Sequence, residues 1–162
     1  MRRGILCIAV LAVLLLAGCG GSGAGTTTTT PRLTAALYRA KLVQIKTEAA
    51  KAQTDVGQGL QAKTVGELKQ RIDAFAAATQ RIGDEVAGFN PPANAEAANT
   101  QLAQGLHDIA EATRAASEKI GSMKTPQAGI AYLQHAQGPI QGGREVTKAL
   151  TTLQKLGYTT GS

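Results

Sequence analysis

Four stretches of the chain place apolar or small residues at alternating steps of three and four, the spacing of one face of an α-helix. They run over about 34–56, 64–89, 92–123 and 125–157. The stripe of the second stretch consists of Val65, Leu68, Ile72, Phe75, Thr79, Ile82, Val86 and Phe89. None of the four has the two-residue alternation of a half-buried strand. The chain is therefore predicted to be all-α.

The other three stripes have the same spacing. The first consists of Tyr38, Leu42, Ile45, Ala49, Ala52 and Val56. The third consists of Ala95, Asn99, Leu102, Leu106, Ile109, Thr113, Ala116, Ile120 and Met123. The fourth consists of Ile130, Leu133, Ala136, Ile140, Leu150 and Leu153.

Residues that start and stop helices separate these stretches. Thr64 with Glu67 three residues later is a capping box, and Thr125 before Pro126 is a cap followed by proline at the first helical position. Pro91 and Pro92 end the second helix because proline disfavours helical backbone in the residue before it. The connections are thus predicted to be short.

Short connections favour an antiparallel four-helix bundle, up-down-up-down, as the domain over residues 34–158. Gly138-Pro139 and Gly142-Gly143 interrupt the fourth stretch, so we expect that helix to be kinked or broken near Gly138-Pro139. A long helical hairpin that completes its core by dimerising fits the same stripes, and the oligomeric state stays open. With 3% aromatic residues and no Trp, the core must consist of Leu, Ile, Val and Ala, which indicates modest stability.

The N-terminus has the organisation of an export signal. A basic start (Arg2, Arg3) precedes twelve uncharged apolar residues at 5–16, too few to span a bilayer. Small residues at Ala17 and Gly18 follow, and then Cys19.

Leu16-Ala17-Gly18-Cys19, in this order and spacing, resembles the lipobox of bacterial lipoprotein precursors. The resemblance implies that residues 1–18 are a signal peptide cut between Gly18 and Cys19, and that the Cys19 thiol receives a diacylglycerol thioether. The protein would then be anchored by lipid on the extracytoplasmic face of a membrane. Gly20, in place of Asp, favours the outer membrane in a two-membrane bacterium. The domain itself resembles small helical lipoproteins, without a motif that transfers a residue role.

Residues 19–33 are predicted to be the lipidated cysteine and a flexible tether. Gly20 to Pro31 contains no apolar residue larger than Ala and cannot order itself by burial. Twelve such residues span on the order of 20 Å. Thr26 to Thr30 is interpreted as a plain spacer, with an O-glycosylated stalk as the alternative.

Few residues are candidates for chemistry. His107 has Glu111 one turn later, but two ligands do not make a metal site, and His107 and His135 are both expected on solvated faces. No haem, phosphate-binding or nucleophile motif occurs. We therefore expect no catalytic, cofactor-binding or metal-binding residue, and no enzymatic activity. The isolated helical glycines are interpreted as packing or cap positions: Gly105, Gly121 and Gly129.

Net charge is +6, and its surplus lies near the tether, with eight basic and three acidic residues between 31 and 71. This suggests that the first helix orients the domain on an anionic leaflet. A nucleic-acid partner is not expected, since stacking aromatics are missing. The predicted function is a non-enzymatic interaction or structural module of the cell envelope, with membrane lipid (through Cys19) and an envelope protein as partners. The alternative is a bundle that binds a small molecule or acts as a sensor, with its ligand near the Gly138–Gly143 interruption.

Overall fold

The computed structural model describes residues 31–59 and 61–159, and within these ranges the chain forms five α-helices and no strand. The helices are α1 (Ala35–Gly59), α2 (Val65–Ala87), α3 (Glu96–Gly121), α4 (Pro126–His135) and α5 (Gln137–Lys155). A single 3-10 turn, Ala93–Ala95, leads into α3. The predicted all-α class is confirmed.

The predicted helix starts are made by the expected side chains. The hydroxyl of Thr64 accepts the Glu67 N–H at 3.1 Å, and the Glu67 carboxylate accepts the N–H of Lys63 at 2.8 Å. The hydroxyl of Thr125 accepts the Ala128 N–H at 3.3 Å. These bonds pair amide donors that have no partner inside the helix.

The helices pack in chain order around two core clusters. α2 lies between α1 and α3, α3 packs against α5, and α4 covers the ends of α2 and α3. The larger cluster includes Tyr38, Leu42, Ile45, Ile82, Val86, Leu102, Leu106, Ala149, Leu153 and Tyr158. The smaller cluster, at the other end of α2, is built on Leu68, Ile72 and Ile120.

The stripes of the first three stretches form this core as predicted. Many of their larger members are buried, and Tyr38, Leu68, Ile72 and Ile120 are each at most 1% exposed. The other large members are half-buried: Val56, Val65, Phe75, Phe89, Ile109 and Met123. Apolar area removed from water is the main favourable term in folding, so the helical spacing identifies the stabilising side chains correctly here.

The predicted interruption of the fourth stretch is present, and it divides that stretch into α4 and α5. The break is at Ala136, whose ψ of 112° is extended rather than helical. Pro139 then lies in the first turn of α5, where its missing N–H costs no helical hydrogen bond.

Beyond this break the fourth stripe is only partly right. Leu153 is buried as predicted, whereas Ile140 and Leu150 are 41% and 40% exposed. Gly142 and Ala149, which are not members of the stripe, are buried. One extended residue changes the rotational phase of the helix, so the spacing before Ala136 does not mark the inner face of α5.

Candidate functional site

The two residues predicted to be processed and lipidated, Gly18 and Cys19, lie outside the described residues, as does the threonine run 26–30. Lipidation of Cys19 therefore remains a prediction. The described residues do show where the segment that follows the tether joins the body.

The chain is fixed to the body at Arg32 and Leu33, which were assigned to the tether. The N–H of Leu33 donates to the carbonyl of Asn90 at 2.7 Å. The Arg32 guanidinium donates to the Pro91 carbonyl at 3.0 Å and pairs with the Glu96 carboxylate at 2.9 Å. These contacts fix the point at which the chain enters the domain, beside the start of α1.

The end of α5 returns to the same place. Gly157 has φ +79°, and the N–H of Tyr158 donates to the Leu153 carbonyl at 2.9 Å, the arrangement in which a left-handed glycine ends a helix. This turn directs Tyr158 onto Tyr38, with ring centroids 5.2 Å apart. Arg39 Nε also donates to the Gly157 carbonyl at 2.8 Å. The start of α1 and the end of α5 are thereby joined.

A buried polar network crosses the core beneath this junction. The Tyr38 hydroxyl donates to Asn99 Oδ1 at 3.0 Å, and Asn99 Nδ2 donates to the Val86 carbonyl at 2.9 Å. Burial, reinforced by the nearby Tyr158 phenol, raises the pKa of Tyr38 to about 12. The phenol is therefore neutral at ordinary pH, and the network links α1, α2 and α3 rather than supplying a reactive group.

The two histidines have different surroundings. His135 is exposed, as predicted. His107 is not on a solvated face: it lies over Gly83, where a Cβ would overlap its ring. Its Nε2 is buried, 3.0 Å from Asp84 Oδ1 but without a well-aligned hydrogen bond. Gly83 is the signal that sequence reasoning missed, since a helical glycine leaves room for a ring on the neighbouring helix.

His107 therefore contacts α2, and no metal site forms with Glu111. The described residues contain no group of three or more His, Cys, Asp or Glu side chains placed to hold a metal ion. No described helix has the length and apolar character that crossing a bilayer requires.

The glycines of the fourth stretch lie in a close contact between two helices. The alternative prediction placed a small-molecule pocket near this interruption. A Cβ on Gly142 would lie 2.7 Å from Ile109 Cγ1 and 3.0 Å from the Gly105 carbonyl oxygen. A Cβ on Gly105 would lie 3.0 Å from Val146 Cγ2. The backbones of α3 and α5 thus approach each other directly, and Gly105 is a packing position as predicted.

Gly129 and Gly121 have different roles. Gly129 is buried, and a Cβ there would lie 2.8 Å from Leu68 Cδ2, so it too is a packing position. Gly121 is the exposed last residue of α3, which agrees with its interpretation as a packing or cap position.

Open grooves lie between helices in the described part of the chain. One of about 520 Å³, between α1 and α2, is lined by residues that include Val56, Phe75, Asp55 and Arg71. Another, of about 370 Å³, lies beside His107 and includes Phe89 and Asn99. The lining of the first mixes apolar and charged side chains, whereas that of the second is largely polar and also includes Glu96, Thr100 and Gln104.

Charge is divided among the helices. α1 has four basic and two acidic residues and α5 has three and one, so each has a net charge of +2. α2 has three basic and four acidic residues and α3 has two and four, giving −1 and −2. On α3, Asp108, Glu111 and Glu118 are exposed. The described part of the domain thus has basic outer helices, α1 and α5, and an acidic α3.

No protein-family model matches this chain, and comparison with curated proteins and with solved structures gives no match either.

Proposed function

We propose that this protein is a lipid-anchored extracytoplasmic lipoprotein whose helical domain serves as a non-enzymatic interaction or structural module of the cell envelope. Residues 1–18 are a cleaved signal peptide, Cys19 carries the lipid, and residues 19–33 connect it to the domain at 34–158. The outer membrane is the proposed location in a two-membrane bacterium.

The observation that carries this proposal is the order of basic start, apolar run and L-A-G-C at the N-terminus. The fixed entry of the chain at Arg32 and Leu33 supports it, because a tether holds a domain in a limited range of orientations only where its attachment is rigid.

We also propose that α4 and α5 act as one interrupted helix, so that the domain is an antiparallel four-helix bundle. Chain-order packing of α1, α2, α3 and α5 supports this. The bond from Arg39 to Gly157 also supports it, because it brings the start of the first helix to the end of the last.

Labelling with radioactive palmitate in the native cell tests the anchoring. The wild-type chain is expected to incorporate label and to enter the detergent phase on phase separation. A Cys19→Ser variant is expected to lose the label, and a Cys7→Ser variant, altered inside the segment proposed to be removed, is the matched control and should keep it. Equal labelling of wild type and Cys19→Ser, or no labelling of either, would contradict the proposal.

A further inference from the structure

We propose that the outward face of α1 and α5 lies against the anionic phospholipid headgroups of the leaflet to which the chain is tethered. This inference rests on the proposed function, since the lipid on Cys19 is what brings the domain to a leaflet. It goes further by naming which face contacts the membrane and which chemistry that face recognises.

Six of the seven cations of the two helices are exposed, whereas of their three carboxylates only Asp55 is exposed. On α5, Arg144, Lys148 and Lys155 are exposed. The acidic residue of α5, Glu145, is half-buried and accepts a hydrogen bond from Gln101 of α3 at 2.7 Å.

α1 is similar except near its end. Lys46 and Lys51 are exposed and Glu48 is half-buried, whereas Asp55 is exposed beside the groove with α2. Arg39 is exposed and hydrogen-bonds a carbonyl. No ion pair among the described residues neutralises Arg39, Lys46 or Lys51, or the three cations of α5.

Apolar side chains lie among these cations. Leu37 and Val43 of α1 are 57% and 64% exposed, and Ile140 and Leu150 of α5 are also exposed. Within the described residues, α2 and α3 have no exposed large hydrophobic side chain. The side of α1 opposite the core has an uncharged row of small residues: Ala36, Ala40, Val43, Thr47, Ala50 and Thr54. Uncharged side chains flanked by Lys and Arg are typical of helices at a lipid interface.

The basic surfaces of the two helices meet at one end of the domain. The start of α1 contacts the turn after α5 through Arg39 with Gly157 and through Tyr38 with Tyr158. The Tyr38 hydroxyl reaches Asn99 of α3 through the interior, so Tyr38 marks the inner side of α1.

The tether allows this contact. The chain enters the body at Arg32 and Leu33, beside α1, and the twelve residues Gly20 to Pro31 span on the order of 20 Å. That reach is about twice the Debye length, so the tether lets the nearby α1 cations approach headgroup charge but does not by itself hold them there. A second copy of the same face is a poor occupant, since exposed cations outnumber exposed carboxylates on both helices and like charges repel.

Lysine footprinting of a shortened chain that begins at Cys19 tests the contact. Every contact described above involves residues after position 30, so the shortened chain retains all of these contacts. Cys19, its sole thiol, is coupled to a maleimide lipid in vesicles of phosphatidylcholine with or without phosphatidylglycerol. An amine-acetylating reagent and mass spectrometry then measure the acetylation rate of each lysine. Because the maleimide replaces the biological lipid, this test is independent of palmitate labelling in the cell, and either can fail alone.

We expect Lys46, Lys148 and Lys155 to be acetylated several-fold more slowly on vesicles with phosphatidylglycerol, and high salt to remove the difference. Lys119 and Lys124, exposed at the end of α3 and just after it, are the internal control and should react at equal rates on both vesicles. Equal rates at all five lysines, or slower reaction at Lys119 and Lys124, would overturn the proposal. Protection that also occurs on phosphatidylcholine alone and grows with protein density indicates contact between copies, which likewise overturns it.

Charge-neutralised variants give a second measurement. Each Lys near an anionic leaflet contributes up to about 1 kcal/mol, about a fivefold factor in partitioning. Replacing Lys46, Lys148 and Lys155 with Gln, in a Cys19→Ser chain free in solution, should therefore lower partitioning to anionic vesicles by up to about a hundredfold. The matched triple variant, with Gln at Arg81, Lys119 and Lys124, should partition like its parent, and an equal loss in both triples would refute the assignment. Should the first triple fail to fold, the footprint of the wild-type chain decides alone.

Discussion

Replacing each of two adjacent glycines of α5 with alanine should change stability in opposite directions. Gly142 and Gly143 are consecutive residues of the same helix, α5. We expect Gly142→Ala to destabilise the domain and Gly143→Ala to stabilise it. The pair is matched because both substitutions add one methyl group to the same helix.

The magnitudes follow from the space at each position. At Gly142 the new Cβ would lie 3.0 Å from the Gly105 carbonyl oxygen, which is backbone, and 2.7 Å from Ile109 Cγ1. Overpacking costs about 1–3 kcal/mol, and alanine's better helix propensity returns up to about 1 kcal/mol. With the full propensity gain, the net loss is about 0–2 kcal/mol, centred near 1 kcal/mol. At Gly143 nothing lies within 4 Å, so only the propensity gain of about 0.5–1 kcal/mol remains.

Urea unfolding of the chain from position 19 with Cys19→Ser, followed by far-UV circular dichroism, measures both effects. The free energies of unfolding should differ by about 2 kcal/mol between the two variants, with an unchanged denaturant slope. Thermal midpoints should move in opposite directions, by roughly 3–5 °C for each kcal/mol. A change of the same sign in both variants would refute the close α3–α5 contact.

Three further predictions concern buried and terminal groups. Tyr38→Phe leaves Asn99 Oδ1 buried without its donor and should cost about 1–3 kcal/mol in urea unfolding. The raised pKa of Tyr38 means stability is lost as pH rises from 10.0 to about 12, and an alkaline titration should show that loss in wild type and not in Tyr38→Phe. Burial raises the pKa of Asp73, but hydrogen bonds from Lys69 and Ser117 and the Lys69 charge outweigh burial and lower the pKa overall. The stabilisation by Asp73 is therefore complete above the pKa of the unfolded chain, near 4, and is lost as pH falls through the lower pKa of the folded chain. Acid unfolding of Asp73→Asn should lack this loss. Gly157→Ala should cost about 1–2 kcal/mol, because φ of +79° strains a residue with a Cβ, and an unchanged thermal midpoint would contradict that reasoning.

The fold class and the inner faces of α1 to α3 could be predicted from sequence because each helix there is uninterrupted. A single phase then relates Leu68 to Val86 along α2, and burial follows the count. Of the inner face of α5 only Leu153 was predicted, because one extended residue at Ala136 resets the phase by an amount that spacing does not encode.

One residue of the buried polar network could be recognised from the sequence. Asn99 occupies an otherwise apolar or small stripe position, and a buried amide needs partners. Its partners could not be named, because Tyr38 lies 61 residues away in the chain and only the packing of α1 across α3 brings the two together.

The proposed membrane face was only partly indicated. Counting charges along the chain detected the basic surplus before residue 71. The same count combined the positive charge of α5 with the negative charge of α2 and α3, so the basic character of α5 was not detected. The structure gives α5 a net charge of +2 of its own and joins the turn that follows it to the start of α1 through Arg39 and Gly157.

The central claim is that Cys19 is the lipidated first residue of the mature protein. Mass spectrometry of the N-terminal peptide, from protein purified out of its native membrane, tests this most directly. The account predicts a peptide that begins at Cys19 and carries the added mass of a diacylglyceryl group, with no peptide from residues 1–18. A mature chain that retains Gly18, or that begins at an unmodified Cys19, would contradict it.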